Sequence, residues 1–307
     1  MSKTIPNGVY PTMITPYTAD NKIDYGAVEQ LLNWYSEKGC DGIFAICQSS
    51  EIFFLSFEER YNLLKFVMQH APKNLTIVAS GHTADDLDQQ LYEAQKFIEL
   101  GAEGYVFISN RLAKQGESDD VFLKNADMFM EALPDTSFGI YECPYPYKRL
   151  MMPETLGKLA QTGRFSFLKD TCCSLKMIRE KLDAVKGTGL KIYNANAATL
   201  LESLKMGCAG YSGVMANFHP EIYAWLCKNF EKDPEKAELV QSVLGYFSVT
   251  ERQVYPINAK YYLGLDGLNL GYTSRARSVD EFGESSRMEI QQMKVVTDFV
   301  KKTLNIQ

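Results

Sequence analysis

Residues 165–173 read FSFLKDTCC. Phe165, Phe167 and Leu168 suit a strand buried on both faces, and Lys169 arrives where the apolar run stops. The same rhythm extends in both directions: a short apolar run, then a longer segment of helical period, eight times over. Strands are expected at Val9–Ile14, Gly42–Ile46, Thr76–Ser80, Gly104–Ile108, Phe138–Tyr141, Phe165–Lys169, Lys191–Tyr193 and Tyr211–Val214. The clearest helices are expected at Tyr25–Lys38, Phe57–His70, Asp85–Leu100, Pro153–Gln161 and Ala197–Met206. Ser56-Phe57-Glu58-Glu59 and Thr83-Ala84-Asp85-Asp86 carry capping-box spacing, and Pro153 suits a first helical turn.

Eight parallel strands with eight return helices favour a closed (β/α)8 TIM barrel, an α/β fold, over an open sheet, because closure leaves no edge strand. Neither G-x-G-x-x-G nor G-x-x-x-x-G-K-[ST] is present to argue for the open alternative. After about Phe230 the strand pattern stops, and Pro234–Gln253, Pro256–Leu263 and Val279–Leu304 read as helices. The expected organisation is a barrel over residues 1–230 and a C-terminal helical extension, residues 231–307, packed on it.

Apolar residues make up 46% of the 307-residue chain and charged residues 23%, which argues for a globular protein. A formal charge of −6 and the lack of basic runs disfavour nucleic acid as a partner. MSKTIPNG has no apolar leader core, and no stretch approaches the roughly 20 apolar residues needed to cross a bilayer, so a cytoplasmic protein is expected. The seven cysteines never fall in C-x-x-C spacing, so reduced thiols and no structural zinc are expected.

In a barrel the C-terminal strand ends carry the active site. Reading those ends gives Gln48, Ser49 and Ser50 after the second strand and His82 after the third. Tyr141 follows at the fifth, Lys169 at the sixth, Asn194 and Asn196 at the seventh, and Ser212-Gly213 at the eighth. A lysine in an apolar pocket is neutral often enough to attack a carbonyl. A phenol such as Tyr141 can pass protons to the adduct, and hydroxyls near Ser49 and Ser50 can hold a carboxylate, which together suit a 2-keto acid. Lysines at strand ends also serve as ion-pair or interface residues. Asn196 either binds a polyol chain or caps the next helix. His82 lines the mouth or sits in a loop, and Cys172 and Cys173 are expected to pack behind the site.

The chain resembles the dihydrodipicolinate synthase and N-acetylneuraminate lyase family of class I, pyruvate-binding aldolases. The resemblance rests on Thr15-Pro16 with Ile23-Asp24, Gly42, Ser50-Glu51 with Leu55-Ser56 and Glu59-Arg60, and Gly101-Ala102. It continues through Tyr141 with Pro144, Lys169-Asp170, Gly210 with Asn217 and Pro220, and Pro256 with Lys260. It implies that Lys169 forms an imine with pyruvate, that Tyr141 transfers protons, and that the Ser49 region holds the pyruvate carboxylate. Gln48, Ser50, Asn196, Ser212 and Gly213 are the further substrate-binding expectations. No cofactor or metal is implied. The partners implied are pyruvate and an aldehyde or sugar acid, with a homotetramer built as a dimer of dimers. 4-Hydroxy-tetrahydrodipicolinate synthase proper, a 2-keto-3-deoxy sugar acid dehydratase and a non-catalytic keto-acid sensor are the alternatives.

Three departures from the family pattern stand out. Cys47-Gln48-Ser49-Ser50-Glu51 replaces Gly-Thr-Thr-Gly-Glu, so a carboxamide stands where the family has its relay hydroxyl. Arg111-Leu112 occupies the position of a Tyr-Tyr pair that reaches the neighbouring subunit. No arginine follows Tyr141 at the place of the family's carboxylate clamp, although Lys148 and Arg149 come slightly later.

Overall fold

The computed structural model describes residues 4–306. Its strands are β1 (Gly8–Val9), β2 (Gly42–Phe44), β3 (Thr76–Ala79), β4 (Gly104–Ile108), β5 (Phe138–Tyr141), β6 (Phe165–Asp170), β7 (Lys191–Asn194) and β8 (Gly210–Tyr211). The helices between and after them are α1 (Tyr25–Glu37), α2 (Phe57–His70), α3 (Leu87–Ile98), α4 (Ser109–Leu112), α5 (Asp119–Ala132) and α6 (Pro153–Gln161). They continue as α7 (Leu175–Ala184), α8 (Leu200–Met206), α9 (Pro220–Asn229), α10 (Pro234–Phe247), α11 (Ile257–Leu265) and α12 (Glu284–Leu304).

All strands run parallel in the order β1-β8-β7-β6-β5-β4-β3-β2. The barrel closes between its first and last members: Phe44 N donates to Pro11 O and Met13 N to Phe44 O, both at 3.0 Å. This is the (β/α)8 barrel with added C-terminal helices that the alternating pattern predicts. β2 to β7 begin at the expected residues, whereas β1 and β8 are shorter. Pro11 has no N–H to give, and after Tyr211 the chain turns into a one-turn 3₁₀ segment, Val214–Asn217, tied down by Asn217 Nδ2 donating to Thr12 O at 2.9 Å.

Local chemistry sets the helix starts. Ser56 and Glu59 form the expected capping box on α2, and Pro153 opens α6. α3 starts two residues later than expected, because Asp86 caps it through Gln89 N while Asp85 pairs with Arg111 at 2.7 Å. Thr83 does not cap; its N–H donates to Glu93 Oε2. α10 stops at Phe247 and passes into a 3₁₀ segment, Ser248–Arg252, before the expected end at Gln253.

Strand alternation fills the barrel interior with rings. Tyr10, just past β1, and Phe167 on β6, which does not adjoin β1, lie 5.8 Å apart, and Phe167 stacks on Tyr193 at 4.7 Å. Gly42 leaves the room that Tyr10 occupies: a Cβ there would meet the Tyr10 ring at 2.2 Å. Two residues beyond Phe167, on the same inner face, is Lys169.

Candidate active site

Lys169 sits at the top of the aromatic column, 3% exposed. Its Nζ lies 4.3 Å from the Tyr141 ring centroid and 6.0 Å from that of Phe44. Among the described residues no carboxylate pairs with this amine and none of its neighbours accepts a hydrogen bond from it. Burial pulls its pKa down to about 8, against a weaker upward pull from Cys47, Cys143 and Glu251. An appreciable fraction is therefore neutral and nucleophilic near pH 7.5.

Tyr141 is opposite Lys169 in the β5–β6 register. Its hydroxyl donates to Gln48 Oε1 at 3.3 Å, and the same oxygen accepts from Cys143 Sγ. Burial, and next the neighbouring Cys143, push the phenol well above its ordinary value, so it is a neutral donor. Ser49 Oγ donates to Thr12 Oγ1 at 2.9 Å, and Tyr255 OH accepts from Asn217 Nδ2 at 3.0 Å close by.

A pocket of about 590 Å³ opens above these groups. Gln48, Ser49, Tyr141, Lys169, Asn196 and Gly213 all lie on its wall. Two expected substrate ligands do not. Ser50 Oγ is turned into the barrel, donating to Met13 O or Ala45 O at 2.6 Å, because the one-turn segment Gln48–Ser50 rotates successive side chains apart. Ser212 is fully buried off the wall, its Oγ without a partner. Gly213 lies on the wall, and the position demands glycine because a Cβ there would strike Tyr211 OH and Ala195 O.

Asn196 caps the turn before α8, its Oδ1 accepting from Thr199 N at 3.1 Å, and the residue also lies on the pocket wall. Asn194 is bound to Thr199 and Ser203 and stays off the wall. His82 is neither at the mouth nor in an open loop. It is buried, bridging Gln90 Oε1 and Ile108 N, and burial lowers it to about 4. Cys173 lines the pocket rather than packing behind it. Lys148 reaches the pocket, whereas Arg149 is engaged with Asp119 and two carbonyls.

The Dihydrodipicolinate synthetase family profile matches residues 5–293. The chain belongs to that family. A 4-hydroxy-tetrahydrodipicolinate synthase of Pseudoalteromonas atlantica is 23% identical over 263 residues, 84% of this chain and 88% of that protein. Among solved structures, the Escherichia coli prophage protein YagE, determined with pyruvate, superposes with a TM-score of 0.84 at 19% identity over 98% of this chain and 99% of its own. A catalytic lysine mutant of the Ruminococcus gnavus sialic acid aldolase gives 0.84 at 20% identity, covering 97% and 99%.

In this family member, two networks that sequence reasoning missed support the site. Behind the barrel wall Lys181 Nζ lies 2.5 Å from both Glu142 Oε1 and Asp170 Oδ2, all fully buried. Glu142 and Asp170 directly follow Tyr141 and Lys169, so this triad fixes the two strand ends. At the mouth, Glu51 accepts from Lys260 Nζ, Ser274 Oγ, and the N–H groups of Arg275 and Ala276 at 2.6–2.9 Å. That grip brings Ala276 and Arg277 onto the pocket wall, where Glu251, Arg252 and Tyr255 also arrive from the C-terminal extension. The Ser50-Glu51 and Pro256/Lys260 elements of the resemblance were the one available hint of this clamp.

Proposed function

We propose that Lys169 attacks the C2 carbonyl of pyruvate or a close 2-keto acid and carries it as an imine. The chain is a lyase of the pyruvate-dependent class I aldolase kind, and the observation that supports this assignment of its nucleophile is the buried, unpaired amine beside the Tyr141 ring. Nitrogen's lone pair forms the C–N bond, and the carbonyl oxygen leaves as water after taking protons. Tyr141 OH is the donor within reach of that oxygen. The protonated imine then draws electrons from the adjacent carbon, so a carbon–carbon bond one atom further out can form or break. Ser49, with Thr12 and Tyr255 behind it, is the proposed carboxylate cradle.

For the second substrate the reading is an aldehyde or a sugar acid. Asn196 offers an amide to hydroxyls, and Lys148, Arg252 and Arg277 line the wall with positive charge suited to an acid. A homotetramer built as a dimer of dimers, drawn from the family resemblance, and the cytoplasmic location expected from the sequence complete the proposal. A keto-acid binder without turnover is the second reading, favoured by Gln48, whose carbonyl oxygen ends the hydrogen-bond chain from Tyr141.

Incubation with pyruvate and borohydride, followed by mapping of the mass increase, tests the nucleophile. An adduct on Lys169 is expected; its absence removes the imine. Tyr141→Phe is expected to keep part of the trapping while turnover falls by about 10²–10⁴-fold, and an unchanged turnover rules out the phenol's role.

A further inference from the structure

The inference that follows rests on the imine reading. Turning a Lys169-bound keto acid into a carbon nucleophile requires a base that removes a proton from C3. Among the described residues two carboxylates line the pocket, Glu51 and Glu251. Glu51 is fully engaged by the clamp of Lys260, Ser274, Arg275 and Ala276. Glu251 has no hydrogen-bond or ion-pair partner among the described residues.

Glu251 stands on the 3₁₀ segment Ser248–Arg252, half-buried, at the point where the C-terminal extension meets the pocket. Burial raises its carboxyl above the ordinary value, with Arg252 and then Lys169 pulling the other way. Lys169 in turn feels its negative charge, as do the buried phenols of Tyr211 and Tyr223 from the barrel side. Lys169 and Glu251 lie on the wall of the same pocket, and burial makes this carboxylate a stronger base than one in water. The alternatives are weaker. Tyr141 is a neutral phenol whose proton is directed at a carboxamide oxygen, and Lys148 Nζ donates to Thr171 O.

We propose that Glu251 is the base that moves the C3 proton of the Lys169-bound keto acid, interconverting imine and enamine. Its carboxylate takes the proton from C3. The C3–H electron pair becomes the C2–C3 double bond, and the C=N pair withdraws onto nitrogen, neutralising the protonated imine. In the cleavage direction the enamine carbon takes the proton back from the Glu251 carboxyl, and water then hydrolyses the imine to free the keto acid and the amine. The acceptor substrate plays no part in this step.

Pyruvate alone therefore tests it. In D2O the full-length protein is expected to exchange the pyruvate methyl protons, followed by proton NMR, with borohydride trapping measured in parallel. Glu251→Gln is expected to trap pyruvate on Lys169 within about 3-fold of the unaltered protein while exchange slows at least about 100-fold. Glu251→Asp is expected to recover part of the exchange that the Gln variant loses. Normal trapping with exchange unchanged in Glu251→Gln overturns the role of Glu251 and leaves the imine standing. Loss of trapping together with exchange in that variant also overturns it, since the residue would then serve imine formation or folding. Failure of the unaltered protein to trap pyruvate overturns the imine, and this step with it.

Discussion

Lys169 and Lys181 are both shut away from water, yet their surroundings are opposite. Lys181 lies between Glu142 and Asp170; burial alone would lower it, but the two carboxylates outweigh burial and hold it above the ordinary value as a fixed cation. Lys169 has rings beside it and, among the described residues, no anion in contact, and burial prevails. A single residue step separates the two outcomes. Along β5 and β6, Tyr141 and Lys169 point inward, so Glu142 and Asp170 must point outward to α7, where Lys181 waits. Alternation delivers the anions to the structural amine and keeps them from the reactive one.

The contrast is most severely tested by Lys169→Met. Turnover is expected to fall at least about 10⁴-fold, as for loss of a covalent nucleophile. The fold should become more stable, not less. A lysine whose folded value is depressed costs stability at all pH below about 8, and the cost fades as pH rises from there toward the unfolded value. Urea denaturation at pH 7 is expected to show a gain on the order of 1–3 kcal/mol, and a loss would mean that the amine has a hidden stabilising partner.

Lys181→Met should do the reverse. Two buried carboxylates lose their counter-charge, and the expected destabilisation is about 3–5 kcal/mol in the same denaturation experiment. A change below about 1 kcal/mol would show that the triad is not the anchor of the strand ends. Next in size is a pH effect: borohydride trapping at Lys169 is expected to climb roughly tenfold per unit below pH 8 and to level off above it. A profile that keeps rising to pH 10 would place the amine in water-like surroundings. The smallest effect is expected from Asn196→Ala, which removes the cap on the turn before α8 and should cost about 1 kcal/mol of stability.

Much of the barrel could be read locally, because strand starts and the caps at Ser56 and Pro153 depend on neighbours in sequence. Lys169, Tyr141, Gln48 and Ser49 could be placed at one rim by the same logic. What escaped were groups whose position is set by distant partners. Glu251 and Arg252 read as the end of a helix, and only the packing of the extension turns them to the pocket. His82 read as a mouth or loop residue because its partners, Gln90 and the N–H of Ile108, come from other elements. Ser50 differs from Ser49 by one step of a tight turn, a phase that periodicity over longer windows does not resolve. Lys181, Glu142 and Asp170 are ordinary helix and strand-end charges until the fold brings them together.

The grip of Glu51 on residues 274–276 has a bearing on how the molecule comes into being. During synthesis every barrel strand is made before the segment that Glu51 holds, and before Glu251. A nascent chain can thus assemble its sheet and bury Lys169 while the mouth is still open on one side. The reactive chamber is finished only when the segment that follows the barrel folds back onto its mouth.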